Sequence, residues 1–316
     1  MKIIFMGTPE PAAHCLKALL DAREDIIVVV TQPDRPKGRG LKVSISAVKE
    51  QALKNDLKLL QPENVKDKVF ISEIRSFEPD LIVVVAFGKI LPKEILDIPK
   101  NGCVNVHASL LPKYRGAAPV QWAILNGEKE TGISIFKLAE TLDTGDIIAQ
   151  KKVSIDEEDT SSTLTSKLFD VGAKLLVETV SSIGKGTIRP IKQNDREASY
   201  APTLKKELGV IDWKQPAKKI HDKIRALDPW PGAYTFCKEK ILKIWGSEIS
   251  EQGKEIDRIV CKPGEIIDMI KDRGFVVGAC DGSILILEVQ PESGKRMPAY
   301  QFAIGHGLKL GDTLPN

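Results

Sequence analysis

Residues 80–88 read DLIVVVAFG, the most strongly strand-like stretch of this 316-residue chain. Leu81 to Val85 are all aliphatic, and a phenylalanine and a glycine follow soon after. So short and uniformly apolar a run fits a strand buried on both faces, which is the habit of parallel sheets. Such sheets bind their ligands in the crevice outside the carboxyl ends of the strands.

The pattern repeats on either side. Upstream come KIIFMG (2–7), a helical EPAAHCLKALLDA (10–22), a β-branched DIIVVVT (25–31), a helix-like KVSISAVKEQALKND (42–56), an extended LKLLQP (57–62) and a helical ENVKDKVFISEIRS (63–76). Downstream come a short helix, KEILDI (93–98), and another strand, GCVNV (102–106). Apolar strands alternating with amphipathic helices imply an α/β domain whose parallel sheet is covered on both faces. From Gly132 the pattern shifts. GISIFKLA (132–139) and DIIAQKKVSI (146–155) look like strands that pair, joined by ETLDTG (140–145). A long helix is expected over 159–183, with Thr160 as its N-cap and Gly184 as its stop.

Residues 189–206 are polar and lack periodicity, so they are expected as a linker between a first domain, 1–188, and a second, 207–316. The second domain opens with a helix in QPAKKIHDKIRAL (215–227) and a proline-punctuated DPWPGAY (228–234). Five short strand candidates follow between 233 and 290, separated by glycine-bearing turns, which suggests a small OB-like β-barrel.

Composition narrows the function. Net charge is only +3, so any nucleic-acid surface must be local. Residues 34–42, DRPKGRGLK, hold four basic residues against one acidic. Residues 206–243 hold nine against five. Five scattered cysteines, with no C-x-x-C pair, suggest neither a zinc site nor a disulfide framework and fit a reducing cytoplasm. The N-terminal MKIIFMGTPE meets Gly7, Pro9 and Glu10 too soon for a signal peptide, and no run is long and apolar enough to span a membrane. MGTPEPA (6–12) lacks the G-x-G-x-x-G of dinucleotide sites, so Gly7 is read as a tight strand-to-helix turn.

At the mouth of the 102–106 strand stands NVHASLLPKYRGAAP, residues 105–119. Asn105 and His107 are two apart, so on extended chain their side chains point the same way. An amide that is neutral at any working pH and an imidazole that exchanges protons near neutrality suit a carbonyl whose oxygen gathers charge during acyl transfer. Such a site also needs a carboxylate to hold or charge the ring, and LDTGD (142–146) offers two, Asp143 and Asp146, with Asp143 in a turn that follows a strand.

The whole stretch from Asn105 to Ile147, with Asn-x-His, Ser-Leu-Leu-Pro and Asp-Thr-Gly in that order, resembles the signature region of the folate-dependent formyltransferases. The resemblance implies a Rossmann-like catalytic domain in which Asn105, His107 and Asp143 surround the formyl group of 10-formyltetrahydrofolate, without a metal. VVVAFGKILP (83–92) resembles the family's folate-side strand and loop. Phe87, Gly88, Ile90, Leu91, Ser109, Leu110, Leu111, Pro112 and Asp146 are therefore implied to line the folate. TQPDRPKGRG (31–40) and residues 211–234 resemble the branch that formylates methionyl initiator tRNA. For that partner the implied contacts are Arg35, Lys37, Arg39, Lys42, Lys218, Lys219 and Lys223, with the second domain as a tRNA-binding module. A sugar-nucleotide N-formyltransferase is the nearest alternative, and a monomer is the default. The chain departs from the family's usual pattern at Phe87, Thr141 and Gly307, where a tyrosine, a glycine and a larger residue are expected.

Overall fold

The computed structural model describes residues 1–37, 42–249 and 262–315. In chain order the elements begin with β1 (Ile3–Gly7), α1 (Glu10–Asp21), β2 (Ile26–Val30), β3 (Arg35–Lys37), β4 (Lys42–Ser44) and α2 (Ala47–Lys54). Next come β5 (Leu59–Leu60), α3 (Lys68–Ser76), β6 (Leu81–Val85), α4 (Lys93–Leu96), β7 (Cys103–His107) and β8 (Arg115–Gly116). Then follow α5 (Pro119–Leu125), β9 (Glu130–Lys137), β10 (Ile147–Ser154), α6 (Ser161–Gly184), β11 (Tyr200–Ala201) and α7 (Ala217–Ala226). The last are β12 (Ala233–Cys237), β13 (Lys240–Ile249), β14 (Ile266–Ile270), β15 (Gly274–Gly278), β16 (Ser283–Pro291), β17 (Met297–Pro298) and α8 (Ala299–His306). They divide into two compact units. The first is Met1–Pro119, Glu130–Ser154 and Thr165–Pro202; the second is Val120–Lys129, Ile155–Leu164 and Thr203–Asn316.

The first unit is built on a seven-stranded sheet in the order β10-β9-β7-β6-β1-β2-β5. From β7 to β5 the strands are parallel, while β9 runs antiparallel to β7 and β10 antiparallel to β9. Every residue of β1 and of β6 is buried, as their uninterrupted apolar runs require. Each fully buried aliphatic side chain stabilises by roughly 1.5–3 kcal/mol relative to exposure, so these central strands carry much of the unit's hydrophobic stabilisation. The chain order turns back at β1, with β2 and β5 on one side and β6 and β7 on the other. That is a topological switch point, and His107 ends β7 on its carboxyl edge.

Two predicted helices begin later than their periodicity implies. Ser46 caps α2, its hydroxyl accepting from the Lys49 amide, so Lys42–Ser44 are free to pair as β4 with β3. Asp67 caps α3 by accepting from Val69, which leaves residues 63–67 outside the helix. In both cases the side-chain acceptor satisfies an amide the helix cannot, and this sets the boundary. Thr160 caps α6 as expected, accepting from the Thr163 amide at 3.2 Å.

The second unit holds an antiparallel sheet in the order β12-β13-β16-β15-β14, with β17 beside β16. Trp213, Ile244, Phe275, Ile286 and Phe302 meet in its core. Helix α8 has no periodic polar stripe to announce it. Gly307, with φ of +61°, adopts the left-handed geometry that ends it, and the Leu308 amide returns to the Ala303 carbonyl. A larger residue there would be strained, which accounts for the glycine.

Inside the same unit His221 of α7 is buried between the Ser247 hydroxyl, 3.0 Å from Nδ1, and the Glu157 carbonyl, 3.3 Å from Nε2. Burial holds its pKa below the ordinary 6.5; of its charged neighbours, Arg225 and Lys218 push the same way and Asp222 opposes them. The unfolded chain therefore binds this proton more tightly than the native one, and stability present above pH 6.5 is lost as pH falls below it. Urea midpoints measured across that range should fall in the wild type and fall less steeply in His221→Gln.

Candidate active site

Strand β7 lies between β6 and β9, with Asn105 opposite Val84 and Phe136, and His107 opposite Ser134. The even spacing sets Asn105 and His107 on one face while Val104 and Val106 point to the other. The side-chain amide of Asn105 makes no hydrogen bond to another described residue, and the residue is only half-buried, so its donors remain available. His107 is buried and held on three sides. Its ring meets Phe136 edge-on at 6.3 Å, its Nε2 lies 2.9 Å from the Tyr114 carbonyl, and its Nδ1 lies 3.8 Å from Asp143 Oδ2. A carbonyl oxygen only accepts, so Nε2 carries the proton of that bond. Nδ1 is left facing the carboxylate.

Asp143 arrives from the loop between β9 and β10 with φ of +53°, a left-handed conformation uncommon for a residue with a side chain. It is nonetheless buried. Its Oδ2 accepts from the Gly116 amide at 2.8 Å, so a backbone donor aims the carboxylate at the imidazole. Gly116 itself has φ of +126°, and a Cβ there would stand 2.6 Å from the Ala201 carbonyl. Only glycine lets β8 and β11 approach so closely. His107 and Asp143 thus meet in space although 36 positions separate them, and Asn105 stands two residues before His107 on the same face of β7.

The loop over residues 109–112 is pinned by Ser134 of β9, which sequence reasoning did not single out. Its buried hydroxyl donates to the Ser109 carbonyl at 2.6 Å and accepts from the Leu111 amide at 3.0 Å and from Gln150 Nε2 at 2.8 Å. Gln150 also donates to the Leu111 carbonyl. Ser109 closes its own turn by donating to the Lys113 carbonyl. Leu111 is buried and Leu110 half-buried. On the β6 side, Phe87 and Leu91 sit in the hydrophobic core, Gly88 has φ of +80°, and Ile90 is exposed. Asp146 is exposed, and its carbonyl accepts from Lys137. The Phe87 carbonyl accepts from Gln32 Nε2 at 2.9 Å, and Gln61 links Gln32 to Asp34.

Asp34 stands at the base of the β3–β4 hairpin, which carries Arg35, Lys37 and Lys42; Arg39 lies outside the described residues. Hydrogen bonds from Lys49 and then Gln61 hold the Asp34 carboxyl below its ordinary range. Its negative charge is paired with Lys49. In the second unit, Lys218 pairs with Asp222 at 2.6 Å. Lys223 donates to the Val210 carbonyl, and burial lowers its pKa. Lys219 is exposed and makes no hydrogen bond or ion pair with another described residue. Among the described residues no group of three or more His, Cys, Asp or Glu is placed to hold a metal, and no helix is long and apolar enough to cross a membrane.

Residues 1–180 match the formyl transferase family, and residues 203–307 match the formyl transferase C-terminal domain. A methionyl-tRNA formyltransferase of Caldanaerobacter subterraneus subsp. tengcongensis is 49% identical, over 99% of this chain and 100% of its own length. One from Clostridioides difficile is 47% identical, over 99% and 100%. Among solved structures, an N-formyltransferase from Helicobacter canadensis in complex with folinic acid and dTDP-3-aminofucose superposes with a TM-score of 0.66 at 22% identity, covering 92% of this chain and all of that one. HypX from Aquifex aeolicus in complex with tetrahydrofolic acid gives 0.67 at 20%, covering all of this chain and 49% of that one. At such identities the structural likeness speaks for the fold alone. The two family models and the full-length relatives together make this chain a member of the formyl transferase family.

Proposed function

We propose that this chain transfers the formyl group from N10 of 10-formyltetrahydrofolate to the α-amine of methionine esterified to initiator tRNA. The observation that carries the reading is the approach of Asp143 to His107 at the sheet's carboxyl edge, with Asn105 on the same face of β7. It is supported by the name that full-length relatives 49% and 47% identical bear. The sugar N-formyltransferases among the structural neighbours share only 20–23% identity with it.

In this reading the neutral amine attacks the formyl carbon, and the carbonyl oxygen becomes an oxyanion. The free amide of Asn105 donates to that oxygen, and His107 Nδ1, when protonated, donates beside it. The attacking amine gives up its proton through water to Asp143. His107 delivers a proton to N10 as the carbon–nitrogen bond breaks. The products are a formamide on methionine and tetrahydrofolate carrying N10–H, so one proton leaves the amine and one arrives at N10. Asp143 offsets the charge on the imidazolium until it takes the amine's proton, and passing that proton to His107 afterwards resets the site.

The folate lies against the loop 109–112 and the 87–91 segment. Phe87 and Leu91 are committed to the core, so there the backbone and Ile90 face the ligand. Phosphates of the acceptor arm meet the basic hairpin through Arg35, Lys37, Arg39 and Lys42, releasing counterions. In the C-terminal module, which we place from residue 203 in line with the family model, Lys219 is free for phosphate. Lys218 and Lys223 are engaged within their own unit. The chain works as a cytoplasmic monomer in this reading.

Labelled formyl donor offered to charged initiator tRNA and, in parallel, to amino-sugar nucleotides tests the reading. Label should pass to the tRNA, and passage to the sugar instead would contradict it. Asn105→Ala and His107→Ala should each lower kcat about 10²–10³-fold, as losing one oxyanion donor does. Ser134→Ala strands the Leu111 amide and the Ser109 carbonyl. It should cost about 1–3 kcal/mol in urea denaturation and raise KM for the folate more than for tRNA.

A further inference from the structure

Residues 189–202, expected as featureless linker, are stitched to both loops of the site. Ile191 forms a two-way bridge with Ile147, Ser199 accepts from the Tyr114 amide through its hydroxyl and from the Arg115 amide through its carbonyl, and β11 pairs with β8. At the centre of this seam is Gln193, itself buried. Its amide nitrogen donates to the Asp143 carbonyl at 2.8 Å and to the Gly145 carbonyl at 2.7 Å. Its Oε1 accepts from Arg115 Nε at 3.1 Å and Nη2 at 2.8 Å. A glutamine amide has two donors and two acceptor sites, and all four are used here. Arg115 is buried to 3% exposure, and its Nη2 also meets the exposed carboxylate of Asp195 at 2.7 Å.

We infer that Gln193 and Arg115 are positioning residues for formyl transfer, gripping the Asp143 turn so that its carboxylate stays on His107. This rests on the reaction proposed above. The bonds close a circuit. The arginine side chain orients Gln193, Gln193 holds the backbone of Asp143, and the amide of Gly116, next in chain after Arg115, holds the Asp143 carboxylate. Asp143 is therefore fixed at both its carbonyl and its side chain by groups that trace back to one residue. Its left-handed backbone is sparsely populated for a non-glycine residue and persists only where its surroundings over-determine it. A glutamine is the apt clamp, since it donates twice without setting a second negative charge beside Asp143.

Gln193→Glu tests this. It keeps the shape and the acceptors for Arg115 but replaces both donors with oxygen set against two carbonyls. The expected result is a protein that still folds at the assay temperature, with unchanged KM for folate and tRNA and kcat lower by about 10²-fold, the scale of an ångström-level misplacement. Gln193→Met loses the same two donors without adding charge and should lose kcat likewise, which keeps the test sound if the glutamate variant does not fold. In an Asp143→Ala background neither substitution should lower kcat further, because the clamp acts only through that residue. Unchanged kcat in both variants would overturn the clamp, as would an equal further loss in the Asp143→Ala background. Wild-type protein is scored first with charged initiator tRNA. If it fails to transfer formyl, the reaction falls and the clamp with it; if it succeeds while the variants match it, only the clamp falls.

Discussion

His107 is suspended between a carbonyl and a carboxylate, and the rest of the site is arranged to keep it there. The Tyr114 carbonyl holds Nε2 at 2.9 Å, and Asp143 faces Nδ1 at 3.8 Å. Each partner comes from a different loop, and neither loop is regular structure. Both are instead held by a third stretch of chain, residues 191–201, through side chains and short backbone pairings. The sheet supplies the fixed point, the carboxyl end of β7, and the loops supply the chemistry around it. Because the imidazole is buried and bonded on one nitrogen, only the other is open to the proton transfer proposed for it.

Much of this was legible in the residues. Apolar runs at 3–7, 26–30 and 81–85 identified the central parallel strands, since a sheet covered on both faces tolerates such uniform apolarity. Asn105 and His107 followed from the period of two, and Asp143 from the signature it shares with a known family. What was not legible lies in contacts made across the fold. Ser134 reads as one polar residue in an apolar strand, and Arg115 as the end of a basic loop. Gln193 stands in a stretch with no period at all, because its partners are loop carbonyls 48 and 50 positions away rather than a ladder or a helical turn. Helix α8 lacked an amphipathic stripe, and the starts of α2 and α3 were decided by single capping side chains.

The placement of charge and thiols follows the same logic of commitment. Of the basic residues expected to meet RNA, Lys218 and Lys223 are already occupied within their unit, and Asp34, which precedes the basic hairpin, is paired with Lys49. Cys103 opens the very strand that carries Asn105 and His107, yet burial pushes its thiol up to about 12. Cys15 is pushed to about 12 for the same reason. Thiols so placed stay protonated near neutrality and cannot serve as nucleophiles.

The proton on His107 is the most direct test of the account. Protein labelled with ¹⁵N in its histidines, with His107 assigned by its loss in His107→Gln, reports through long-range ¹⁵N–¹H correlations which ring nitrogen is protonated when the imidazole is neutral. The account predicts a proton on Nε2, bonded to Tyr114, and a pyridine-like Nδ1. A neutral ring carrying its proton on Nδ1 would contradict it.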